Sequence, residues 1–346
     1  MRAVVYEDVQ KVKVDEVPDP QIAEPEDAII RVTTAAICGS DLHFYNGKAP
    51  LLPGEQIGHE GVGVVEHVGD AVTGFSPGDR VVLAFNAVCG ECWFCKHGQH
   101  SLCDEFKNLG AGEAAGGLGG TQAEQVRMPN ADVNLLKVPE GMEDERALFV
   151  GDILTTGVYG AGIAGIQPGD TVAVVGAGPV GFFAAQAARQ YDPAQVLVLD
   201  MEADRLALAE KIGATPINVG ERNAATAVDS LTETRGADVV IEAVGAVPAF
   251  QSAVDVVRRG GTICVVGMYV TESTEIQLGI SWFRQLKIVF SGVCPIHAWW
   301  DRAIQAVADG DIDPLPIISH TLPLDDAPRG YEMFERREAT KVILKP

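Results

Sequence analysis

Residues 171–200 read TVAVVGAGPVGFFAAQAARQYDPAQVLVLD. A short valine-rich run meets a glycine-rich turn, passes into an apolar stretch of helical character, and is followed by a second apolar run that ends in an acid. Strand, turn, helix and strand in this order is the opening unit of a parallel α/β sheet. Gly176, Gly178 and Gly181 stand in G-x-G-x-x-G spacing. The first glycine permits the tight turn, the second lets a pyrophosphate approach the backbone, and the third lets helix and strand pack closely. With Pro179 and Val180 they open a helix whose N-terminal amides and dipole favour phosphate. Alone, the motif equally describes a glycine-rich turn; its place between a strand and a helix gives it weight. Asp200 follows Gly176 by 24 residues, at the end of the second strand. A carboxylate there suits the ribose hydroxyls of NAD and repels the 2′-phosphate of NADP. Arg205 could reverse that preference, but Glu202 and Asp204 surround it, so NAD is the expected cofactor.

Working downstream, MEADRLALAEKIG, ADVVIEAVG, AVPAFQSAVDVVRRG and TICVVGM continue the alternation of helix and strand, which predicts a doubly wound parallel sheet. Upstream, AIIRVTTAAI, VGVVEHV and RVVLAF are separated by glycine and proline turns, the pattern of a small, partly open β-rich barrel. After residue 295, WWDRAIQAVADG and TKVILKP do not extend the alternation and are assigned back to the first domain. The expected domains are therefore 1–153 with 295–346, and 154–294. The 346 residues, at about 150 per domain, agree with two.

Composition narrows the function. A chain that is 47% hydrophobic and 21% charged can bury a core and is not disordered. Forty-eight acidic against twenty-six basic residues give a net charge of −22, which repels nucleic acid and anionic membrane surfaces alike. The uncharged stretch 171–188 approaches membrane-spanning length, but its glycines and the change from strand to helix argue for a buried βα unit. The N-terminus meets Glu7 before any sustained apolar run, so neither a secretory signal nor a membrane span is expected, and the location expected is the cytoplasm.

Of the seven cysteines, Cys89, Cys92, Cys95 and Cys103 fall in CGECWFCKHGQHSLC at C-x2-C-x2-C-x7-C spacing. Four thiolates so spaced can wrap one tetrahedral ion and leave no open position, which points to a structural metal, zinc first. An iron–sulfur cluster uses the same ligands, and disulfide pairing is the third alternative. His97 and His100 inside the loop read as surface residues. Cys38 in ICGSD, His59 and Glu60 in GHEG, and Asp152 in VGDILTTG are a scattered second set; spacing alone does not unite them.

Gly58 to Val72 runs as GHExxGxxxxxGxxV and resembles the signature of zinc-dependent medium-chain alcohol dehydrogenases. CGSD before it, the four-cysteine lobe and GAGPVG after it, and the closing KVILKP keep the family order, so the resemblance covers essentially the whole chain. The stretch GGTQAEQVRMPNADVNLLKVPEGMEDERALFVGDILTTG is most similar to the branch that includes glutathione-independent formaldehyde dehydrogenases. The resemblance implies a β-rich GroES-like catalytic domain beside a Rossmann domain and two zinc ions per chain. The sequence has no extra insertion after the Asp200 strand of the sort associated with permanently held cofactor in that branch, so exchangeable NAD is expected. The resemblance also implies Cys38, His59 and Asp152 as ligands of a catalytic zinc, with Asp152 where several relatives carry cysteine, and Glu60 beside them. By the same resemblance Ser40 would hydrogen-bond the alcohol oxygen and His43 would complete a proton relay. Thr156 would meet the nicotinamide end, Val244 and Gly267 would line the cofactor site, and Lys341 would contact the pyrophosphate. Arg205 would lie against the adenosine ribose, and Phe85 would line the substrate pocket. Gly39 replaces a basic residue that some relatives aim at the pyrophosphate, which would speed cofactor release.

The function so implied is hydride transfer between NAD and a primary or secondary alcohol, or the matching aldehyde or ketone, by a homo-dimer or homo-tetramer. A polyol or formaldehyde dehydrogenase is the alternative within the superfamily. A non-catalytic nucleotide-binding redox sensor is the alternative outside it, and predicts a missing ligand or relay residue; none is missing.

Overall fold

The computed structural model describes residues 1–270 and 273–346, and divides them into two compact units. The first comprises Met1–Asp152, Pro295–Ala308 and Asp313–Pro346; the second comprises Ile153–Cys294 and Asp309–Ile312. The boundary expected after residue 153 thus falls one residue earlier, and Asp309–Ile312, expected in the first domain, group with the second.

In the second unit six parallel strands lie in the order Thr215–Asn218, Gln195–Asp200, Thr171–Val175, Ala237–Glu242, Val257–Val265, Lys287–Phe290. Counted along the chain this is 3-2-1-4-5-6, the doubly wound arrangement whose strand order reverses between Thr171–Val175 and Ala237–Glu242. Every residue of Thr171–Val175 is buried, which explains a continuous apolar run where a one-faced strand would alternate. Gly176 then turns the chain at φ +98°, a conformation that L side chains rarely adopt. Helix Pro179–Arg189 starts with proline in its first turn, where a missing N–H costs nothing.

The first unit is built on a mixed sheet. Its neighbouring strands run in the order His320–Pro323, Val342–Lys345, Ala28–Ile37, Glu60–Val68, Arg80–Leu83, Leu135–Lys137, with Gln125–Met128 also pairing with Ala28–Ile37. Ile30, Ile37, Leu83 and Tyr331 are among the side chains buried in its core. The strand expected from TKVILKP pairs antiparallel to Ala28–Ile37, which returns the end of the chain to the first unit. No helix among the described residues is long and apolar enough to cross a membrane.

Candidate active site and metal centres

Register brings the scattered residues together. Val342 stands opposite Ile37, Ala36 opposite Glu60, and Gly61 opposite Leu83, so four neighbouring strands meet at one edge of the sheet. Lys341, Cys38, His59, Glu60 and Phe85 all lie at or just beyond these strand ends. Asp152 arrives on the turn after Leu148–Gly151, where the N–H of Phe85 donates to Gly151 O at 3.0 Å. A Cβ on Gly151 would lie 2.1 Å from Leu83 O, so only glycine lets this turn close on the sheet.

One sulfur, nitrogen and oxygen from Cys38, His59 and Asp152 all lie within 4.8 Å of one another. His59 Nε2 is 3.2 Å from Asp152 Oδ2, and Cys38 Sγ is 3.6 Å from the same oxygen. Ser40 Oγ is 3.1 Å from His59 Nε2, and its side chain makes no helix-capping bond, so a turn-capping role does not account for it. His43 lies on the short helix Asp41–Tyr45 that follows. The ring of Phe85 stands edge-on to that of His59, 6.3 Å between centroids.

A residue that the sequence reading passed over organises this centre. Asp41 is fully buried; its Oδ1 is 3.1 Å from His59 Nδ1, and its Oδ2 accepts the N–H of Cys38 at 2.9 Å and of Gln122 Nε2 at 3.1 Å. With Nδ1 held by Asp41, Nε2 is left as the nitrogen that could ligate a metal, the usual way in which a carboxylate fixes a metal-binding imidazole. The signal was visible in the CGSD tetrapeptide, since a ligating histidine calls for such a partner. Burial alone would strip His59 of its proton, but Asp41 and Asp152 outweigh it and hold the imidazolium well above the usual histidine range. Burial pushes the Cys38 thiol and the Glu60 carboxyl up. A divalent cation would displace protons from this donor set and let sulfur, imidazole and carboxylate converge on it. The chemistry of the set, one soft, one borderline and one hard donor, fits zinc.

Lys341, which the resemblance aims at a pyrophosphate, is wholly buried in the first unit, with Nζ 2.5 Å from Glu60 Oε2 and 5.6 Å from the centroid of the Phe149 ring. Burial would deprotonate it, and the Glu60 carboxylate reverses that, raising its pKa.

The sulfurs of Cys89, Cys92, Cys95 and Cys103 also all lie within 4.8 Å of one another. A tetrahedron of ~2.3 Å zinc–sulfur bonds has an edge of about 3.8 Å, so the cage has the size of one ion. Cys103 Sγ lies 3.5 Å from Cys89 Sγ. Backbone N–H groups of Glu91 and Cys92 point at Cys89 Sγ, and those of Cys89 and Glu105 at Cys103 Sγ, at 3.3–3.4 Å. The N–H groups of Cys95 and Asp104 pull the Cys92 thiol down to about 6, while burial pushes the thiols of Cys95 and Cys103 up. All seven cysteines are free, so the four sulfurs stand as separate donors. His97 Nδ1 bonds Trp93 O at 2.7 Å and its ring stacks on Trp93. His100 packs against His297, so the structure places neither ring as a fifth ligand. Asn134, fully buried, ties the lobe down: its Oδ1 accepts the N–H of Val88 at 3.0 Å, its Nδ2 donates to Val88 O, and His297 Nε2 lies 2.8 Å from the same Oδ1.

In the second unit a Cβ on Gly181 would stand 1.9 Å from Gly176 O, so the third glycine is required by the turn itself. Asp200 Oδ2 accepts the N–H of Ala177 at 2.6 Å, and Oδ1 those of Met201 and Glu202, which fixes the carboxylate beside the glycine turn. Arg205 reaches over that turn, its Nη1 3.9 Å from the position of a Cβ on Gly178. Val180 and Thr156 are half-buried, and Val244 is exposed. Gly267 meets Gly245 backbone to backbone.

Two family models match the chain: the alcohol dehydrogenase GroES-like domain over residues 24–140 and the zinc-binding dehydrogenase over 179–309. An uncharacterized zinc-type alcohol dehydrogenase-like protein of Bacillus subtilis is 37% identical, with all of both chains covered. The solved alcohol dehydrogenase of Thermus sp. ATN1 is 43% identical at a TM-score of 0.96, covering 100% of this chain and 99% of that one. A zinc-binding dehydrogenase of Sinorhizobium meliloti, solved with NADP, is 29% identical at a TM-score of 0.89 over 100% and 99% of the two chains.

Proposed function

From the premise that this chain belongs to the zinc-binding medium-chain alcohol dehydrogenases, and is a zinc-dependent alcohol oxidoreductase, we propose the finer assignment of its sites. The catalytic zinc is held by Cys38, His59 and Asp152, and a second, structural zinc by the four-cysteine lobe. The cofactor is NAD, and the substrate a primary or secondary alcohol or the matching aldehyde or ketone. The observation that carries this reading is the meeting of Cys38 Sγ, His59 Nε2 and Asp152 Oδ2 with the Ser40 hydroxyl 3.1 Å from the ligand nitrogen.

Zinc supplies Lewis acidity that makes the alcohol a stronger acid or polarises the carbonyl, and the nicotinamide supplies the hydride acceptor or donor. The chain's own residues do the rest. Ser40 Oγ takes the alcohol proton and His43 passes it on. Asp41 holds the His59 tautomer. Glu60 and Lys341 form a buried pair beside the ligands, and we assign Lys341 to that pair in place of the pyrophosphate contact. Thr156, Val244 and Gly267 serve the nicotinamide half of the cofactor, and Gly176, Gly178, Pro179, Val180, Gly181 and Arg205 the diphosphate and adenosine half. Phe85 gives the substrate site an aromatic wall, which favours an apolar alcohol over a polyol.

Asp200, fixed at the strand end, supports NAD, while the NADP bound to the Sinorhizobium relative makes the cofactor the point to test. A panel of alcohols, polyols and formaldehyde with NAD and with NADP, followed by nicotinamide absorbance, decides both questions. Simple alcohols with NAD should turn over best, and Asp200→Gly should lower the KM for NADP. Equal use of both cofactors by the unmodified protein overturns the Asp200 argument, and activity confined to formaldehyde or polyols overturns the substrate assignment.

The proposed assembly is a homo-oligomer joined along the edge of the parallel sheet. Among the described residues, Lys287–Phe290 pairs with Val257–Val265 only, and next to it Leu278 and Trp282 are 77% and 80% exposed, with Phe283 and Phe290 also exposed. The proposed location is the cytoplasm, supported by four cysteines arranged for a metal.

A further inference from the structure

The strand Ala237–Glu242 ends on a fully buried carboxylate to which the reaction assigns no role. Glu242 Oε1 accepts the N–H of Val244 at 2.8 Å and of Gly245 at 2.9 Å. The single hydroxyl proton of Tyr269 is shared between Glu242 Oε2, at 3.1 Å, and Ala246 O, at 3.2 Å. The main-chain oxygen of Glu242 accepts the N–H groups of Val266 and Gly267 at 2.8 and 3.0 Å. One residue therefore ties together the loops that leave two neighbouring strands.

Those loops touch backbone to backbone. Gly245, at φ +77°, would place a Cβ 2.2 Å from Met268 O, and a Cβ on Gly267 would lie 2.0 Å from Gly245 N. The same cluster abuts the glycine turn: the N–H of Ala243 donates to Val175 O at 2.9 Å, and Val244 Cγ2 lies 2.4 Å from the position of a Cβ on Gly176. Strand order reverses here, between Thr171–Val175 and Ala237–Glu242, and the crevice outside such a reversal is where open parallel sheets bind ligands. Val244 and Met268 are about half exposed at this rim, so their backbone is held from beneath while their outer side stays accessible. Burying a carboxylate is costly unless its acceptor sites are filled, and these are filled by the loop amides and by Tyr269.

We propose that Glu242 and Tyr269 are positioning residues of the cofactor site, holding the backbone of Val244–Gly245 and Gly267–Met268 in the shape that receives the nicotinamide half of the dinucleotide. This rests on the nicotinamide-cofactor reading above. Neither side chain touches the cofactor; both act through the loops.

The test uses the full chain with its zinc, and the variants Glu242→Ala, Glu242→Gln and Tyr269→Phe. Binding of NADH is titrated by its fluorescence, and binding of AMP, the other half of the dinucleotide, by calorimetry; hydrogen exchange is read at the amides of Val244 and Gly245 without cofactor. Glu242→Ala should expose both amides and weaken NADH binding about tenfold or more, since two hydrogen bonds to one carboxylate are lost. Glu242→Gln keeps an acceptor and should recover most of that loss, and Tyr269→Phe should weaken NADH binding a few-fold. AMP should bind all variants as it binds the parent. Equal loss of NADH and AMP would show general damage to the unit and overturn the proposal, as would unchanged NADH binding in Tyr269→Phe, the variant that carries the test if Glu242→Ala does not fold. A parent protein that binds AMP but no NADH or NADPH would instead overturn the cofactor reading itself.

Discussion

At the scale of single residues, the proposed zinc site turns on which atoms are already committed. His59 has Nδ1 on Asp41, which leaves Nε2 for the metal and for the neighbouring Ser40. Asp41→Asn keeps the shape but removes the charge that makes the imidazole a better ligand. Zinc affinity should drop by about 10–100-fold, the usual cost of losing such a partner; zinc retained against a chelator measures it, and full retention would mean that Asp41 serves only the fold. Ser40→Ala should cut turnover sharply with zinc and NAD binding intact. His43→Ala should cost less, about 10–100-fold, because water can replace it, and the loss should shrink as pH rises and hydroxide takes the proton directly. Turnover of Ser40→Ala equal to the parent across the pH range would dismiss the relay.

At the scale of elements, the four-cysteine lobe is a loop with a small core of its own, in which Val88, Cys95 and Cys103 are buried. A metal bound by the four thiolates would add to the stability of so small a core. The closed site should therefore resist chelators while the three-ligand site loses its metal first, and metal analysis should return two zinc ions per chain; one ion, or iron in the lobe, would refute this. Asn134 joins the lobe to the sheet through both polar groups of Val88. Asn134→Ala strands those groups in a buried place and should destabilise the protein by ~1–3 kcal/mol, read from denaturant unfolding, with faster proteolysis of residues 89–103. The glycine turn is the other decisive element. A methyl on Gly181 would collide with Gly176 O, so Gly181→Ala should abolish cofactor binding even where the fold survives.

At the scale of the whole molecule, an edge strand that carries the exposed Phe290 and follows Leu278, Trp282 and Phe283 is a template for pairing. A second copy related by a two-fold axis, as proposed, would satisfy both its free main-chain groups and its apolar side chains. The aromatic residues alone carry roughly 150–250 Å² each, on the way to the roughly 800 Å² per partner of a stable interface. Trp282→Glu should shift the sedimentation of the protein toward the monomer without changing its zinc content; an unchanged sedimentation coefficient would place the interface elsewhere. The sequence by itself determined what depends on local periodicity and spacing. The parallel sheet could be read from TVAVVGAGPVG and its successors because the alternation of short apolar runs, glycine turns and helical stretches is a property of adjacent residues, and the four-cysteine cage because its ligands sit within one loop. Resemblance to a family grouped Cys38, His59 and Asp152, but their meeting depends on register between strands far apart in the chain, which no local pattern encodes. Register likewise placed Lys341 against Glu60, and burial made Asp41, Asn134 and Glu242 matter. An aspartate, asparagine or glutamate is ordinary in a sequence and becomes informative only when solvent is gone and its acceptors and donors must be filled from the protein. That condition is set by the tertiary structure alone.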